Sequence, residues 1–433
     1  MKKIALITHG CPKNLIDSEL IVGILNNSGY QVTLDEDDAD ICIVNTCSFI
    51  CDSERESVHS ILELIEKGKK VIVTGCLAQK HSGELKQELP ELAGVVGATD
   101  FVHIDEVLKK VEAGEYVEIV SKKPDYNYPE KVERQQITMG ASSYLKIADG
   151  CNYRCGYCII PYLRGDYHSR KMEDIICEAK ELVKKGVTEI ILIAQDTTSY
   201  GIDIYQKPML AELIKELNKI ENLGWIRIMY AYPTQMTDEL LHTIAECEKV
   251  VKYIDIPLQH SEPELLKKMN RPAFDYRPMI KNIRKIIPNV SIRTAFIVGY
   301  PTETEEQFEH LYKFVEEMKF DRLGVFCYSR EKGTPSYSMK PQVPKRIAKQ
   351  RYNKIMELQQ KISKERNESF IGKTIPCIIE SYSDNGEIVA RSQYDAPEID
   401  GVVTIKSNAI VTPGDIEMVK ITGATEYDLI GEI

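Results

Sequence analysis

Cys151-Asn-Tyr-Arg-Cys155-Gly-Tyr-Cys158 sets three thiols within eight residues, directly after the apolar run Tyr144–Ala148. That run reads as a strand, so the cysteines fall on a loop at a strand's carboxyl end, where parallel α/β folds keep their chemistry. Three thiolates so spaced can wrap one face of an iron–sulfur cube, and no fourth ligand follows nearby. A structural zinc site wants four ligands, usually in pairs two residues apart, which makes a zinc knuckle the weaker reading. Three thiolates on a four-iron cluster leave one metal open, as substrate chemistry at a cluster requires.

Working outward, Tyr144–Ala148 opens a series of six strand candidates. Glu189–Ala194, Trp225–Tyr230, Tyr253–Pro257, Ser291–Val298 and Arg322–Tyr328 follow, each leading into a helical segment. The last of these helices is a long polar stretch from about Lys345 to Asn367. Six βα units suggest a curved parallel sheet or a partial barrel rather than a closed eight-fold one.

Upstream, strand candidates Ile4–Thr8, Tyr30–Leu34, Ile41–Asn45, Val71–Thr74 and Val95–Gly97 alternate with helical stretches near Asn14–Ser28, Asp52–Lys67 and Leu77–Leu89. Such alternation implies an open, mainly parallel sheet with helices on both faces. Downstream, the short β-type runs Ile375–Glu380, Glu387–Arg391, Gly401–Ile405, Asp415–Thr422 and Asp428–Ile433 are separated by Asp384-Asn385-Gly386 and Pro413-Gly414 turns. They fit a small antiparallel β-barrel. The expected organisation is therefore an α/β chain in parts: an open parallel sheet over 1–120, a linker over 121–138, a partial (β/α)6 barrel over 139–367 and a β-barrel over 368–433. The polar run Glu130–Gln136 marks the linker.

The bulk numbers agree. At 433 residues, a prior of about 150 per domain gives roughly three. Hydrophobic content of 43% and charged content of 28% exclude fibrous, collagenous and wholly disordered classes. The 55 basic against 66 acidic residues, net −11, make a poor phosphate-backbone binder and a better partner for something basic. Apolar stretches such as Ile190–Ala194 fall far short of the ~20 residues of a spanning helix. Met1-Lys-Lys followed by Ile4–Ile7 briefly imitates a signal peptide, but Thr8 and His9 end the run and it reads better as a strand. A cytoplasmic chain is expected. In that reducing compartment, twelve cysteines point to metal or catalysis rather than disulfides.

Cys11, Cys47 and Cys76 each stand just past a strand candidate, in Thr8-His-Gly-Cys11, Asn45-Thr-Cys47 and Thr74-Gly-Cys76. In an open parallel sheet those carboxyl ends share one edge, and Gly10 and Gly75 permit close backbone approach. Spacing alone leaves two readings open, a ligand set or three ordinary buried cysteines. Cys42, Cys177, Cys247, Cys327 and Cys377 read as packing or isolated residues. Cys51, one helical turn past Cys47, is the single near-miss.

The cysteine triplet after a first barrel strand, with Tyr157 just before its last member, resembles the radical S-adenosylmethionine enzymes. Together with the second cysteine set and the terminal β-barrel, the chain is similar over nearly its whole length to the methylthiotransferases, whose last domain is called TRAM. The resemblance implies two [4Fe–4S] clusters, with Cys151, Cys155 and Cys158 as radical-cluster ligands and Cys11, Cys47 and Cys76 as auxiliary ligands. It implies S-adenosylmethionine at the open iron, cleaved to a 5′-deoxyadenosyl radical, with Tyr157, Gln195 and Gly299 as cofactor contacts. Gln195-Asp196 and Gly299-Tyr-Pro-Thr-Glu-Thr304 end the second and fifth barrel strands; ordinary loops with a helix cap are the bland alternative. His260 either lines the cavity or caps a helix. Arg164 and Arg170 either pair with a carboxylate of cofactor or substrate or are solvated loop charges.

Within the family, Gly10-Cys-Pro-Lys-Asn-Leu-Ile-Asp-Ser-Glu19 looks like the branch that modifies a ribosomal protein, and Ala396-Pro-Glu-Ile-Asp-Gly401 is taken with it. Residues 369–433 carry four basic residues against eleven acidic, net −7. An RNA-holding barrel should show a basic face; this one suits a strongly basic protein. The implied reaction is methylthiolation of the β-carbon of an aspartate in small-subunit ribosomal protein S-twelve, with a reductase or flavodoxin-type electron donor. The alternatives are a tRNA adenosine methylthiotransferase, a different radical enzyme whose second cluster only relays electrons, and a non-catalytic iron–sulfur RNA-binding scaffold.

Overall fold

The computed structural model describes residues 3–126, 128–129, 132–138, 140–407 and 409–433. Glu130 and Lys131, at the head of the polar run, lie outside the described residues. The chain forms two compact units. The first takes residues up to 139 together with 148–168 and 331–334, and the second takes 140–147, 169–330 and 335–433.

The first unit is built on six strands, β1 (Lys3–Thr8), β2 (Gln31–Thr33), β3 (Ile41–Thr46), β4 (Lys70–Gly75), β5 (Gly94–Val96) and β6 (Val117–Ile119). They lie in the order β2-β1-β3-β4-β5-β6, and every pair is parallel. β3 is buried from end to end, as a strand covered on both faces must be. Between the strands run α1 (Pro12–Asn27), α2 (Cys51–Glu66), α3 (Cys76–Glu88) and α4 (Ile104–Glu112). Of these strands and helices, β6 and α4 went unread in the sequence. β6 is a three-residue edge, too short to signal itself. α4 does carry a readable stripe, since Ile104, Val107, Leu108 and Val111 are its buried face at i, i+3, i+4 and i+7.

The strand order reverses between β1 and β3: the chain goes from β1 outward to β2, then returns to the other side of β1. Such a switch point is where open α/β sheets bind ligands, in the crevice beyond the strands' carboxyl ends.

The segment read as a linker has no helix or strand among its described residues, yet it is pinned down. Arg134 is buried against Glu19 of α1 at 3.1 Å, and the Gln135 N–H donates to the Glu19 carbonyl. A Cβ on Gly23 would meet the Glu133 carbonyl oxygen at 2.3 Å, so this glycine lets the segment lie flat on α1.

In the second unit, parallel strands Ser142–Lys146, Glu189–Ile193 and Trp225–Ile228 form one ladder, and Tyr253–Asp255, Ser291–Val298 and Arg322–Cys327 form another. Single bonds join the two, among them Ile226 N–H to the Lys249 carbonyl and Ala231 N–H to the Asp255 carbonyl. Among the described residues no ladder joins the sixth strand to the first. The result is a partial six-stranded barrel. The helix Lys345–Glu368 packs along it, and its Ala348 sits where a Cβ on Gly299 would come within 2.4 Å.

The carboxy-terminal strands Thr374–Tyr382, Ile388–Ser392, Val403–Ile405, Ile416–Ala424 and Leu429–Glu432 close into a barrel. One pair departs from the antiparallel expectation: Val403–Ile405 runs parallel to Leu429–Glu432. Its interior is Ile375, Cys377, Ile379, Ile388, Ala390, Val403, Ile405, Val419, Ile421 and Leu429.

The stretch around Ala396–Gly401, read as a substrate marker, has a structural task. Residues Arg391 to Asp400 meet all six core strands. Arg391 reaches Ser142 and Glu189, and the Gln393 carbonyl accepts from Arg227. The Tyr394 carbonyl accepts from Ser291, Asp395 holds Arg322, and Asp400 accepts from Tyr253. Five of those six partners are the first residues of their strands, so the loop plugs the amino-terminal end of the barrel. No helix among the described residues is long and apolar enough to cross a membrane.

Candidate metal centre

Cys11, Cys47 and Cys76 leave the carboxyl ends of β1, β3 and β4, three neighbouring strands in the middle of the sheet. Neighbouring strands stand about 4.8 Å apart, and Thr8, Asn45 and Thr74 are in register across them. The three thiols therefore gather at one edge, on the switch point. Cys47 and Cys76 are buried and Cys11 is half-buried. Gly10 has φ of +95°, and a Cβ there would stand 2.7 Å from the Cys47 Cβ. Gly75 has φ of +90°, and its Cβ would stand 2.4 Å from Asn45 Oδ1. Both glycines make the space in which the trio converges.

The loops are held by named bonds. Ser57 Oγ accepts from the Cys47 N–H and donates to the Cys47 carbonyl, both at 3.0 Å. Asn14 Nδ2 donates to the carbonyls of His9 at 3.0 Å and Thr46 at 2.9 Å. Asn45 Nδ2 donates back to the Asn14 carbonyl and to Ser18 Oγ, both at 2.9 Å.

The second cysteine set lies in the same compact unit. Gly150, with φ of +76°, turns the chain into the loop, and its Cβ would collide with the Asp166 carbonyl at 2.0 Å. Cys155 is buried; Cys151 and Cys158 are half-buried, and so is Tyr157 between them. The Cys158 N–H donates to the Cys155 carbonyl at 2.9 Å, and the Cys151 N–H to the Gly165 carbonyl at 3.1 Å. The loop runs into the short helix α5 (Ile160–Arg164). Cys76, Ile159 and Leu163 form one buried apolar cluster. The residue that follows Cys158 thus shares a buried cluster with a member of the other trio.

Arg164 closes this interface. Only 2% exposed, it donates to Asp17 at 2.5 Å and to Asp149 at 3.5 Å, and it bonds Asn14. Its Nη2 stands 3.8 Å from the Cys76 sulfur. The structure corrects one reading of this residue: it is no solvated loop charge, but buried against the protein carboxylates Asp17 and Asp149. The solvated reading of Arg170 is corrected too: buried, it donates to the Lys146 carbonyl at 2.7 Å and to Glu178 at 2.6 Å.

Burial pushes the Cys76 thiol up to about 11, with Arg164 pulling the other way, and burial raises Cys47 too. Metal ligation needs thiolates, so the buried guanidinium is the local counterweight. Among the described residues no group of three or more His, Cys, Asp or Glu is disposed to hold one metal ion. A four-iron cube asks for a different arrangement, since each thiolate takes its own iron and the three stand further apart. An all-sulfur donor set, two cradling glycines and walls of Ile159 and Leu163 fit such a cube.

The softer candidates lie in the second unit. Gln195 is half-buried, one residue beyond the strand Glu189–Ile193 and Ala194. Asp196 turns its carboxylate onto the Thr198 and Ser199 N–H groups, ordinary loop capping. Gly299, buried with φ of +77°, donates its N–H to Glu303 and has Ala348 pressed on it. His260 is wholly buried. Its Nδ1 accepts from the Glu262 N–H at 3.1 Å, which leaves Nε2–H to donate to Glu303 at 3.2 Å. Cys51 is exposed and hydrogen-bonds Glu331 at 3.3 Å. Sequence reasoning missed Asn14, Asp17, Ser18 and Ser57, all buried. Asn14, Asp17 and Ser18 stand in the Gly10–Glu19 motif and at a helix start with no clean apolar stripe, neither of which shows what they hold, and Ser57 lies inside α2 with no signal of its own.

Comparison with known proteins adds the rest. Residues 145–315 match the radical SAM superfamily, residues 3–97 match the Uncharacterized protein family UPF0004, and residues 371–433 match the TRAM domain. A solved radical S-adenosylmethionine methyltransferase, TsrM from Kitasatospora setae, superimposes with a TM-score of 0.58 at 14% identity, over 78% of this chain and 77% of that one. That likeness concerns the fold alone. The ribosomal protein uS12 methylthiotransferase RimO of a Thermoanaerobacter species is 51% identical over the whole of both chains. The enzyme of the same name from Caldanaerobacter subterraneus is 48% identical, again over the whole of both. This chain belongs to the RimO family of radical SAM methylthiotransferases.

Proposed function

We propose that the chain transfers a methylthio group to the β-carbon of an aspartate in ribosomal protein uS12, using S-adenosylmethionine and two [4Fe–4S] clusters. One observation carries the two-cluster reading: Ile159, adjacent in sequence to Cys158, lies in one buried cluster with Cys76. Thiol sets whose loops share one buried cluster can serve a single reaction. Identity of 45–51% along full-length relatives that bear the uS12 methylthiotransferase name supports the substrate.

Cys151, Cys155 and Cys158 would hold one cluster, and Cys11, Cys47 and Cys76 the other. When bound, these groups and S-adenosylmethionine supply one-electron chemistry that breaks an unactivated C–H bond, and a sulfur to put in its place. The protein's own share is placement and exclusion. Cys47, Cys76 and Cys155 are each under 9% exposed, so water is kept from most of the ligand set. Asn14 and Ser57 fix the loops of the first trio, and the Cys158–Cys155 turn fixes the second. Tyr157, Gln195 and Gly299 are assigned to the cofactor.

The same reading divides the chain at 1–120, 121–138, 139–367 and 368–433, places it in the cytoplasm and supplies its electrons from a reductase or flavodoxin-type donor. Mass spectrometry of uS12 from cells lacking the gene tests it: the methylthio increment should vanish and return on complementation. An increment lost from tRNA, with uS12 unchanged, would transfer the substrate to RNA.

A further inference from the structure

The loops that carry four of the six cysteines are fastened by one pair of side chains, Asn14 and Arg164. Asn14 spends its amide N–H groups on the carbonyls of His9 and Thr46, just ahead of Cys11 and Cys47. Its Oδ1 accepts from Arg164. The same guanidinium touches the Cys76 sulfur at 3.8 Å and Asp149 at 3.5 Å, two residues before Cys151. Asp17, one turn along α1 from Asn14, takes the remaining charge at 2.5 Å. All four polar partners are at least nine-tenths buried.

A buried cation is costly unless it is paired, and two carboxylates already pair this one. Contact with a thiol on its far side is therefore extra to its own neutralisation. In a low-dielectric site a fixed positive charge beside a thiolate favours whichever state of that thiolate's cluster is more negative, which is the reduced one. A guanidinium is suited to the place, because its planar fork donates in several directions at once and never loses its charge.

We infer that Arg164 is a positioning residue with two effects on the amino-terminal cluster: with Asn14 it sets the spacing between the two thiol sets, and its charge raises that cluster's reduction potential. The inference rests on the two-cluster reading above.

The test uses the full-length, anaerobically reconstituted protein, with iron and sulfide content, EPR-monitored redox titration of both clusters, and separate assays of deoxyadenosine and methylthiolated uS12. Asp17→Asn keeps shape, removes a competing carboxylate and should move the amino-terminal cluster to higher potential. Arg164→Met should move it lower. Arg164→Lys, which retains the charge without the fork, should restore the potential toward wild type while product formation stays low, by about 100-fold for an ångström of misplacement. Deoxyadenosine formation, read alongside, reports on the Cys151 loop that the Asp149 contact also holds. A residue that merely stabilised the fold would not shift the potential in opposite directions in Asp17→Asn and Arg164→Met. Equal potentials in all three variants at full iron content would overturn the inference. If Arg164→Met fails to fold, Asp17→Asn decides alone: an unmoved potential overturns it. Wild-type protein holding about four irons rather than about eight would instead remove the two-cluster reading beneath it.

Discussion

Arg391 of the small barrel and Glu189, the first residue of the core's second strand, form a fully buried ion pair. Glu189 also accepts from Arg227 at 2.8 Å and Ser142 at 2.7 Å. Burial alone would push this carboxyl up, but Arg391 and Arg227 outweigh it and hold it at about 2. A depressed carboxyl adds stability that is present above its unfolded value, near 4.5, and is lost as pH falls through the folded one. The shift corresponds to about 3 kcal/mol. Glu189→Gln, which changes charge and not volume, should therefore cost about 3 kcal/mol at neutral pH. The gap between wild type and variant should narrow as pH is lowered from 5 toward 2. Denaturant titrations at several pH values measure it; a gap that does not vary with pH would show that the ion pair is not the source.

Gly75 and Gly10 make a second expectation concrete. Gly75→Ala places a Cβ 2.4 Å from Asn45 Oδ1 and 2.6 Å from the Thr46 carbonyl oxygen, at φ of +90°. Neither neighbour can yield, because Asn45 is tied to Asn14 and Ser18. Gly29→Ala is the control, with φ of +83° and nothing within 4 Å, so only backbone strain of about 1–2 kcal/mol is added. Gly75→Ala and Gly10→Ala should lose iron from the amino-terminal site, and Gly29→Ala should keep it. Iron analysis of the three proteins side by side settles the matter.

How far the sequence could be read depended on what each segment buries. Ser291–Val298 was read residue for residue because it is apolar and long. The convergence of Cys11, Cys47 and Cys76 was readable because alternating strands and helices dictate a parallel sheet whose carboxyl ends share an edge. α1 was placed correctly, but its task was not legible. Asn14, Asp17, Ser18 and Glu19 look like a solvated turn of helix, and all four are buried because their partners arrive from Asn45, Arg164 and Arg134, far away in sequence. The same holds for Asp395 and Asp400. Counted among the barrel's acidic excess, they are spent on Arg322 and Arg293 inside the second unit. Charge counting sees composition; it cannot see which charges are already paired.

That pairing sharpens the electrostatic expectation for the substrate. Asp384, exposed, and Glu387, half-buried, share one hairpin turn of the small barrel. Unlike Asp395 and Asp400, Asp384 is open to a basic partner. Charges at an interface rim act mainly on the association rate, and salt screens them. The double variant Asp384→Lys, Glu387→Lys should slow association with uS12 several-fold at low salt and converge with wild type at high salt, with deoxyadenosine formation in the absence of substrate unchanged. Stopped-flow or surface-based binding at two ionic strengths measures this. Equal rates at low salt would place the docking surface elsewhere.

The division of labour between the thiol sets yields the last expectation. Cys155 is buried in the loop that turns through Cys158, whereas Cys47 is clamped by Ser57 at the end of β3. Those bonds are made by backbone groups of Cys47 and Cys155, which alanine keeps, so removing one thiol should empty its own site and leave the other loaded. Cys155→Ala should retain about four of about eight irons and form no deoxyadenosine. Cys47→Ala should retain about four as well, yet still cleave S-adenosylmethionine and transfer no sulfur. The two variants thus look alike by iron content and opposite by product. Methylthiolated uS12 from Cys47→Ala would mean that the amino-terminal trio is not the route by which sulfur reaches the substrate.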